Sequence, residues 1–369
     1  MIETPLFEIC RPKQWKTISS KDLSEHGYPV YGANGIIGFH SEYNHEKPTI
    51  LITCRGATCG TINVSVPFSY INGNAMALDD LDENKAYINY ISYYLKYRGL
   101  ADVISGSAQP QITREGLQSV KIPLPPLAEQ RRIASILDQA DELRQKRQQA
   151  IEKLDQLLQA TFIDMFGDPN TYQNRFPIKS LKQVCTKITD GEHGTVQRLE
   201  SGKLYLMARN ITKNMTLDMT EVSYISEEDH QRIYKRCSPE SGDLMIVCVG
   251  ATIGKLCLVP DMGEFSLARS VALLKPDINS VISQYLLYLL ASDYMQQKIL
   301  NSRNTAAQAG LYLGKLSIIE VPVPPKELQE KWSKIALSIE DQKQNLYKQL
   351  DMQNQLFSSL QNQAFNGTL

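Results

Sequence analysis

The stretch LITCRGATCG (Leu51–Gly60) decides the fold, because it occurs a second time as MIVCVGATIG (Met245–Gly254). Both copies contain Cys-x-Gly-Ala-Thr-x-Gly, written GAT-x-G below. Two further pairs of markers follow in the same order: ISYYLKY (Ile91–Tyr97) with ISQYLLY (Ile282–Tyr288), and IPLPP (Ile122–Pro126) with VPVPP (Val321–Pro325). Repetition of several markers in one order predicts a duplicated structural unit.

A long amphipathic segment follows each proline cluster. Apolar residues there recur at alternating steps of three and four, which is typical of a coiled coil. In the first segment they are Ile133, Ile136, Ala140, Leu143, Ala150, Leu154, Leu157 and Thr161, with Arg147 interrupting. In the second they are Leu328, Trp332, Ile335, Ile339, Leu346, Leu350, Phe357, Leu360 and Ala364, weakened by Gln342 and Gln353. The pattern predicts helices over Leu127–Phe166 and Lys326–Phe365, each a rod of about 60 Å.

Each apolar stripe needs a partner, and the nearest is the stripe of the other copy. A pseudo-two-fold relation between the copies makes the two helices antiparallel. Two alternatives stay open: both stripes could line ordinary helical cores, or the partner helix could come from another subunit.

The globular parts are predicted to be mixed α/β (α+β). Short runs rich in Ile, Val and Leu predict strands at Thr49–Cys54, Thr61–Val66, Leu204–Met207, Asp243–Val249 and Lys255–Val259. Longer apolar runs predict helices at Tyr90–Tyr97 and Ser283–Ile299. The GAT-x-G segments are interpreted as turns between strands, where glycine permits positive φ. The fold class is therefore two mixed α/β domains separated by a long antiparallel coiled coil of two helices.

Composition narrows the class of protein. The 369 residues are 42% apolar and 21% charged, an ordinary globular balance with a length suited to two or three domains. With 39 basic and 40 acidic residues the net charge is −1, which excludes a uniformly basic coat for wrapping nucleic acid. Glu3 and Arg11 interrupt any signal peptide, and the longest apolar run, Val281–Ala291, is too short to span a bilayer. We expect a soluble, cytoplasmic protein with no membrane contact.

Cysteine usage agrees with that expectation. None of the 7 cysteines forms a C-x-x-C pair and no histidine cluster accompanies them, so a zinc site is not predicted. Several, such as Cys248, lie inside apolar runs and are interpreted as small buried hydrophobic residues in a reducing compartment.

Motifs for catalysis are missing from the sequence. The GAT-x-G segments lack the lysine of a phosphate-binding loop, and neither H-E-x-x-H nor Gly-x-Ser-x-Gly occurs. No N-P-P-[YF] or D-P-P-[YF] tetrapeptide for base methylation is present either. Two polar, turn-rich units held apart by a rod suit the recognition of two spaced elements on duplex DNA, whose major groove returns about every 34–36 Å.

Five motifs have not been explained by composition alone: YPVYGANGIIGFH (Tyr28–His40), both GAT-x-G repeats, PLPPLAEQRRIASILDQADEL (Pro123–Leu143), FGDP (Phe166–Pro169) and TDGEHGT (Thr189–Thr195). In these motifs and their order the chain resembles the DNA-specificity subunits of type I restriction–modification enzymes. The resemblance implies a first target-recognition domain at 1–122, a spacer helix at 123–167, a second recognition domain at 168–321 and a second spacer helix at 322–369.

The resemblance also implies partners and chemistry. The chain itself would be non-catalytic and would bind no cofactor or metal. Two modification subunits would bind S-adenosylmethionine and methylate adenine, two restriction subunits would use ATP and Mg²⁺, and double-stranded DNA would be the shared ligand. The first copy departs from the pattern because it lacks the D-G-x-H turn of Asp190–His193. A two-headed adaptor that binds only proteins, and an enzyme active alone, are the alternatives.

Candidate DNA contacts are polar residues in turn-rich segments. Arginine and lysine suit guanine, whereas asparagine and glutamine suit adenine. In the first domain they are Lys13, Gln14, Lys16, Asn34, Arg55, Gln109, Gln111 and Arg114. In the second they are His193, Arg209, Asn210, Lys213, Arg269, Arg303, Asn304 and Gln308. Each of them could instead be a solvated or structural residue.

Overall fold

The structure, a computed structural model, describes residues 3–32, 35–106, 109–168, 175–303 and 310–369. The chain divides into two compact units. Unit 1 consists of residues 1–150 and 346–369, and unit 2 consists of residues 151–345. Two long helices, α2 (Leu127–Phe166) and α8 (Lys326–Asn366), each contribute residues to both units.

The described residues of unit 1 form short strands and one α-helix besides the long pair. Its strands are β1 (Glu3–Pro5), β2 (Arg11–Gln14), β3 (Tyr28–Gly32), β4 (Gly35–His40), β5 (Ile50–Thr53), β6 (Ile62–Val64), β7 (Tyr70–Ile71), β8 (Ala75–Asp79) and β9 (Lys121–Pro123). Helix α1 spans Ile88–Arg98. The strands form sheets in the orders β2-β8-β5-β6, β4-β3-β7 and β1-β9.

Unit 2 contains the remaining strands and five shorter helices among its described residues. The strands are β10 (Ile178–Ser180), β11 (Cys185–Asp190), β12 (Lys203–Leu206), β13 (Ser223–Ile225), β14 (Leu244–Val247), β15 (Leu256–Leu258), β16 (Ser266–Leu267), β17 (Val271–Pro276) and β18 (Glu320–Pro322). The helices are α3 (Leu181–Val184), α4 (Glu227–Arg236), α5 (Ser283–Ala291), α6 (Asp293–Asn301) and α7 (Leu313–Ser317). The sheet orders are β11-β17-β14-β15, β13-β12-β16 and β10-β18.

The two units share one topology. Strand for strand, β2-β8-β5-β6 corresponds to β11-β17-β14-β15, and β4-β3-β7 corresponds to β13-β12-β16. The pairing of β3 with β7 is parallel, as is that of β12 with β16. The duplicated mixed α/β fold predicted from the repeat is therefore confirmed.

A buried glutamine joins each sheet region to the start of a long helix. In unit 1 the Gln130 amide donates to the carbonyls of Lys85 (2.8 Å) and Pro125 (2.9 Å), and its oxygen accepts from the N–H of Tyr87 (2.8 Å). In unit 2 Gln329 makes the corresponding bonds to Ser280, Pro324 and Ile282. Both side chains are fully buried, so each one satisfies backbone groups that water cannot reach.

The long helices run antiparallel within each unit. In unit 1 Arg144 Nε donates to Asn354 Oδ1 (2.8 Å) and Arg147 Nε to Gln353 Oε1 (3.1 Å). In unit 2 Lys343 Nζ lies 2.6 Å from Asp155 Oδ1, and the Phe162 ring packs 5.0 Å from the Trp332 ring. In both units, residues with higher numbers on α2 contact residues with lower numbers on α8. The two helices are therefore antiparallel, as predicted.

The apolar stripe predicted for the first helix is partly wrong. Leu143 and Leu157 of the predicted stripe are 55% and 51% exposed. The buried residues of this helix instead include Leu137, Ile151 and Leu158. The heptad position between Leu137 and Ile151 is Arg144, whose guanidinium lies 4.4 Å from the Phe357 ring centroid. The buried stripe therefore includes an arginine. A prediction that looks only for apolar residues passes over Arg144 and assigns the adjacent Leu143 to the stripe. The stripe predicted for α8 is buried or half-buried throughout.

The predicted helix Ser283–Ile299 is two helices, α5 and α6. Ser292 has extended backbone (φ −62, ψ 147), and its hydroxyl accepts a hydrogen bond from the N–H of Met295. Serine is a strong N-cap, so the residue that ends α5 also begins α6.

Candidate nucleic-acid interface

The GAT-x-G segments are tight turns between strands, as predicted. In unit 1 the turn joins β5 to β6, with Gly56 and Gly60 at φ +88 and +92. In unit 2 it joins β14 to β15, and Gly250 and Gly254 adopt +97 and +95. Such backbone strains any residue except glycine, which explains why both glycines occur in both copies.

A second polar segment closes on each turn. The carbonyl of Cys54 accepts from the N–H of Ile112 (3.0 Å), and that of Cys248 accepts from Leu311 (2.8 Å). Residues 109–114 in unit 1 and 310–313 in unit 2 therefore lie beside the turn in equivalent places.

Burial raises the pKa of the Cys248 thiol to about 12, so this cysteine stays protonated.

In unit 1 three predicted residues come together at this edge. Gln14 ends β2, and its amide donates to the carbonyl of Gly73 (3.2 Å) and contacts Cys54 Sγ (3.0 Å). Arg55 follows β5 and pairs through its backbone with Gln111. Gln14, Arg55 and Gln111 are all exposed, so they form a polar edge open to a ligand.

The other candidates of unit 1 lie around this edge. Lys13 Nζ sits 3.6 Å above the Trp15 ring, and the Trp15 indole donates to Asp79 Oδ2 (3.0 Å). Arg114 lies against the Phe7 ring, 5.6 Å from its centroid. Lys16 and Gln109 are exposed. Asn34 lies outside the described residues.

In unit 2 the D-G-E-H turn occupies the corresponding edge, directly after β11. His193 Nε2 lies 2.7 Å from Asp190 Oδ2, while the other carboxylate oxygen of Asp190 pairs with Arg236 of α4. A Cβ on Gly191 would collide with the carbonyl of Leu267, so only glycine fits between Asp190 and Glu192.

Glu192 is held as firmly as Asp190. Its Oε1 accepts from the N–H of Gly194 (2.6 Å), and its Oε2 accepts from Arg232 of α4 (2.7 Å). The two α4 arginines, Arg232 and Arg236, are residues that sequence analysis missed, whereas Asp190 and Glu192 were noted only as part of the D-G-x-H motif. Residues 41–49, which occupy the place of α4 in unit 1, contain no helix.

A small cavity opens beside the turn. It has a volume of about 180 Å³ and its lining includes Asp190, His193, Arg269, Leu311 and Tyr312. Arg269 is exposed, and its backbone N–H donates to the carbonyl of Glu192 (3.0 Å). The structure therefore brings together two predicted residues, His193 and Arg269, at one polar opening.

The remaining candidates of unit 2 are dispersed. Asn210 is 1% exposed, and its amide bonds to the carbonyls of Asp218 and Glu221 and to the N–H of Met207, which leaves it unsuited to contact a base. Arg209 donates to Ser223 Oγ, and Arg303 donates to the carbonyl of Leu300 at the end of α6. Lys213 is exposed. Asn304 and Gln308 lie outside the described residues.

The described residues of the two edges do not supply the donor set of a metal centre. The described ranges hold no group of three or more His, Cys, Asp or Glu side chains placed to bind a metal ion. The same ranges contain no helix that is both long and apolar enough to cross a membrane.

Comparison with known families matches most of the chain in two segments. The model of the type I restriction modification DNA specificity domain matches residues 4–153 and 176–352. The chain belongs to this specificity family. Its two matched segments correspond to the two copies of the repeat, so the resemblance inferred from the motifs is confirmed.

Several specificity subunits resemble this family member. The EcoBI specificity subunit of Escherichia coli is 25% identical over 380 residues, covering 93% of this chain and 75% of that protein. The EcoprrI specificity subunit of Escherichia coli is 30% identical over 143 residues, covering 37% of this chain and 35% of that protein. These relatives are named specificity subunits of type I restriction enzymes, in agreement with the predicted specificity-subunit class.

Solved structures show the same fold. The S subunit of a type I restriction–modification system from M. genitalium superposes with a TM-score of 0.67 at 19% identity, covering 99% of this chain and 96% of that one. A chain from a structure of the assembly and conformational transition of the type I R-M system gives 0.53 at 17% identity, covering 100% and 98%.

Acid is expected to weaken the D-G-E-H turn of this specificity subunit. The Gly194 N–H and the Arg232 guanidinium hold the pKa of Glu192 below its ordinary value of 4.5. A folded-state pKa below the unfolded one means that ionised Glu192 contributes stability above pH 4.5, and this contribution is lost as pH falls through the folded pKa. Glu192→Gln should therefore lose less stability on acidification than wild type, by on the order of 1–2 kcal/mol.

The measurement is the urea midpoint of unfolding at neutral pH and at pH values below 4.5. The exposed Glu200→Gln serves as the matched control and should follow wild type. Parallel acid profiles for Glu192→Gln and wild type would contradict this account of the turn.

Proposed function

We propose that this specificity subunit directs a type I restriction–modification complex to a bipartite, asymmetric DNA target, with one half-site for each unit. The observation that carries the proposal is the pair of equivalent polar edges. Both are formed by the same GAT-x-G turn and the same returning segment, yet their side chains differ. The positions of Gln14, Arg55 and Gln111 in unit 1 correspond to those of Asp190, Val249 and Gly310 in unit 2.

Different side chains on a common scaffold support two different half-sites. Base edges in the major groove are distinguished by the positions of hydrogen-bond donors and acceptors. Gln14 and Arg55 supply amide and guanidinium groups, whereas unit 2 supplies imidazole and guanidinium groups. Because α2 and α8 are continuous helices that take part in both units, we expect an unread spacer of constant length between the half-sites.

The net charge of the chain supports a proposal in which partner subunits make most of the phosphate contacts. Phosphate contacts usually dominate DNA affinity, yet the net charge of this chain is −1. In our proposal two modification subunits supply most backbone contacts and bind S-adenosylmethionine, and two restriction subunits bind ATP and Mg²⁺. The two units of this chain supply base recognition.

The test is to express the chain with its modification subunits and map methylated adenines across the host genome. The expected result is a discontinuous motif with two defined, unlike parts. A continuous motif would contradict the bipartite proposal, and methylation without any motif would contradict sequence recognition by the complex. The protein-only adaptor predicts the second of these results.

The exposed apolar residues of the long helices are the proposed docking surface for the modification subunits. In unit 2 Leu157 and Ile163 of α2 are 51% and 41% exposed, and Leu337 of α8 is 53% exposed. Leu157→Asp should leave folding nearly unchanged, because exposed positions usually contribute within about 0.5 kcal/mol. Assembly with the modification subunit should weaken at least about tenfold, since a charge is costly in an apolar interface.

Binding is measured by titrating labelled modification subunit onto each variant. Ile278→Asp is the matched control, because Ile278 is 69% exposed but lies in the loop between β17 and α5. Equal affinities for Leu157→Asp and wild type would overturn the assignment of this surface.

A further inference from the structure

The two equivalent edges differ most at the last residue of the first strand of the four-stranded sheet. Gln14 of β2 lies opposite Met76, and Asp190 of β11 lies opposite Ala272. Met76 and Ala272 are themselves opposite Ile52 and Ile246, each two residues before the cysteine of the repeat. Gln14 and Asp190 therefore occupy corresponding positions. In unit 1 the glutamine contacts Cys54, whereas in unit 2 the aspartate holds a histidine beside an open cavity.

Asp190 fixes which nitrogen of His193 carries the proton. The Asp190 carboxylate already pairs with Arg236, so it has a counter-ion without the imidazole. Neutral imidazole has one N–H, and when Nε2–H is donated to Asp190 the other nitrogen, Nδ1, is left as an acceptor. The side chain of His193 is 56% exposed and that of Asp190 is 13% exposed, so Asp190 supports the ring from the protein side.

Arg269 supplies the complementary group at the same opening. It lines the cavity with His193, and its guanidinium can only donate hydrogen bonds. His193 and Arg269 thus present an acceptor and a donor group at the same opening. In the major groove adenine alone among the bases offers a donor, N6–H, together with an acceptor, N7. Guanine offers two acceptors there, and its O6 would face the lone pair of His193 Nδ1.

We propose that His193 and Arg269 together recognise one adenine in the half-site of unit 2, with Asp190 and Arg236 as positioning residues. His193 Nδ1 accepts from adenine N6–H, and Arg269 donates to adenine N7. The backbone of Arg269 is held at the turn, because its backbone N–H donates to the carbonyl of Glu192. This inference rests on the proposed function, because it requires unit 2 to contact the major groove of duplex DNA.

The experiment selects bound sequences from a library of randomised duplexes, using the complex with modification subunits and no methyl donor. Wild type should require adenine at one position of the second half-site. His193→Lys replaces the acceptor with a donor, so guanine should be preferred there by about tenfold to hundredfold, with every other position unchanged. His193→Asn keeps an acceptor and should keep adenine. His193 is exposed, so both variants are expected to fold.

Asp190→Asn tests the positioning role. An asparagine amide can donate to His193 Nε2, which turns Nδ1 into a donor. The preference for adenine over guanine should then fall about tenfold at that one position, a change that general destabilisation would not produce. His26→Lys, an exposed histidine of unit 1, is the matched control and should leave the second half-site unchanged.

The outcomes separate this inference from the proposed function. An unchanged base preference in His193→Lys, with uniformly weaker binding, would overturn base recognition by His193 while the wild-type bipartite motif still supported the proposed function. Selection of cytosine by wild type at the affected position would overturn the adenine assignment. A wild-type complex that selects no motif would overturn both.

Discussion

Replacing Trp332 with alanine is expected to lower the free energy of unfolding by about 3–5 kcal/mol. Trp332 on α8 is fully buried in the core of unit 2. Its ring packs edge-on against Phe162 of α2 at 5.0 Å and against Tyr288 of α5 at 5.3 Å. Removal of the indole leaves a cavity where the two long helices meet the sheet region, and aromatic contacts of this geometry are lost as well.

Trp332→Phe is the matched variant. The buried indole N–H of Trp332 finds no acceptor among the residues that the structure describes. Phenylalanine keeps most of the ring contacts and removes this unpaired donor, so the loss should stay below about 1.5 kcal/mol. Urea unfolding followed by circular dichroism measures both variants. Similar losses for alanine and phenylalanine would show that ring packing is not what Trp332 contributes.

Removing both anions from Lys343 is expected to be about as damaging. The side chain of Lys343 is 10% exposed and lies 2.6 Å from Asp155 of α2 and 2.9 Å from Glu340. Asp155→Asn combined with Glu340→Gln leaves a buried ammonium without a counter-ion. Such an unpaired charge costs about 3–5 kcal/mol.

Lys343→Met is the informative contrast. It removes the buried charge, and the acids that remain are more exposed, at 52% for Asp155 and 34% for Glu340. Hydrophobic replacement of a buried ion pair is often neutral, so we expect a change within about 1 kcal/mol. The measurement compares the urea midpoints of unfolding of wild type, the double variant and Lys343→Met. A larger loss in Lys343→Met would mean that the ion pairs themselves are strongly stabilising.

The pKa of Lys343 gives the direction of the pH dependence. Burial alone would lower this pKa, but the hydrogen bonds to Asp155 and Glu340 raise it above the ordinary 10.5. A raised folded-state pKa means that the charged lysine contributes stability below pH 10.5, and the contribution is lost as pH rises through the folded pKa. Wild type should therefore lose more stability in alkali than Lys343→Met does.

Local signals predicted the scaffold. The two GAT-x-G turns could be predicted because positive φ selects glycine, and the long helices because proline and an apolar period mark them. The antiparallel pair followed from the order of the repeats. The stripe of α2 was misplaced at Leu143 because Arg144, a half-buried arginine, is polar in the sequence yet packs on Phe357.

The site depended on contacts that no local pattern encodes. Asp190 and His193 are close in sequence and formed a visible motif, but Arg236 reaches Asp190 from α4, 46 residues further along the chain. Asn210 has the same side chain as a base-reading asparagine, and only its burial shows that backbone groups occupy its amide. Parallel pairing of β3 with β7 and of β12 with β16 is likewise a long-range feature.

The hydrogen bonds of Gln130 and Gln329, which join each long helix to the segment before it, have a consequence for recombination between related genes. Gln130 ties the start of α2 to Lys85 and Tyr87, and Gln329 ties the start of α8 to Ser280 and Ile282. A crossover between related genes can transfer each glutamine together with the carbonyl and amide groups that it binds. The transferred segment then keeps all of these hydrogen bonds. A crossover between Ser280 and Gln329 joins halves from two genes, and because the partners of Gln329 are backbone groups, the junction forms only if the incoming helix also carries this glutamine. Genetic exchange should therefore succeed most often where recombination leaves each junction whole.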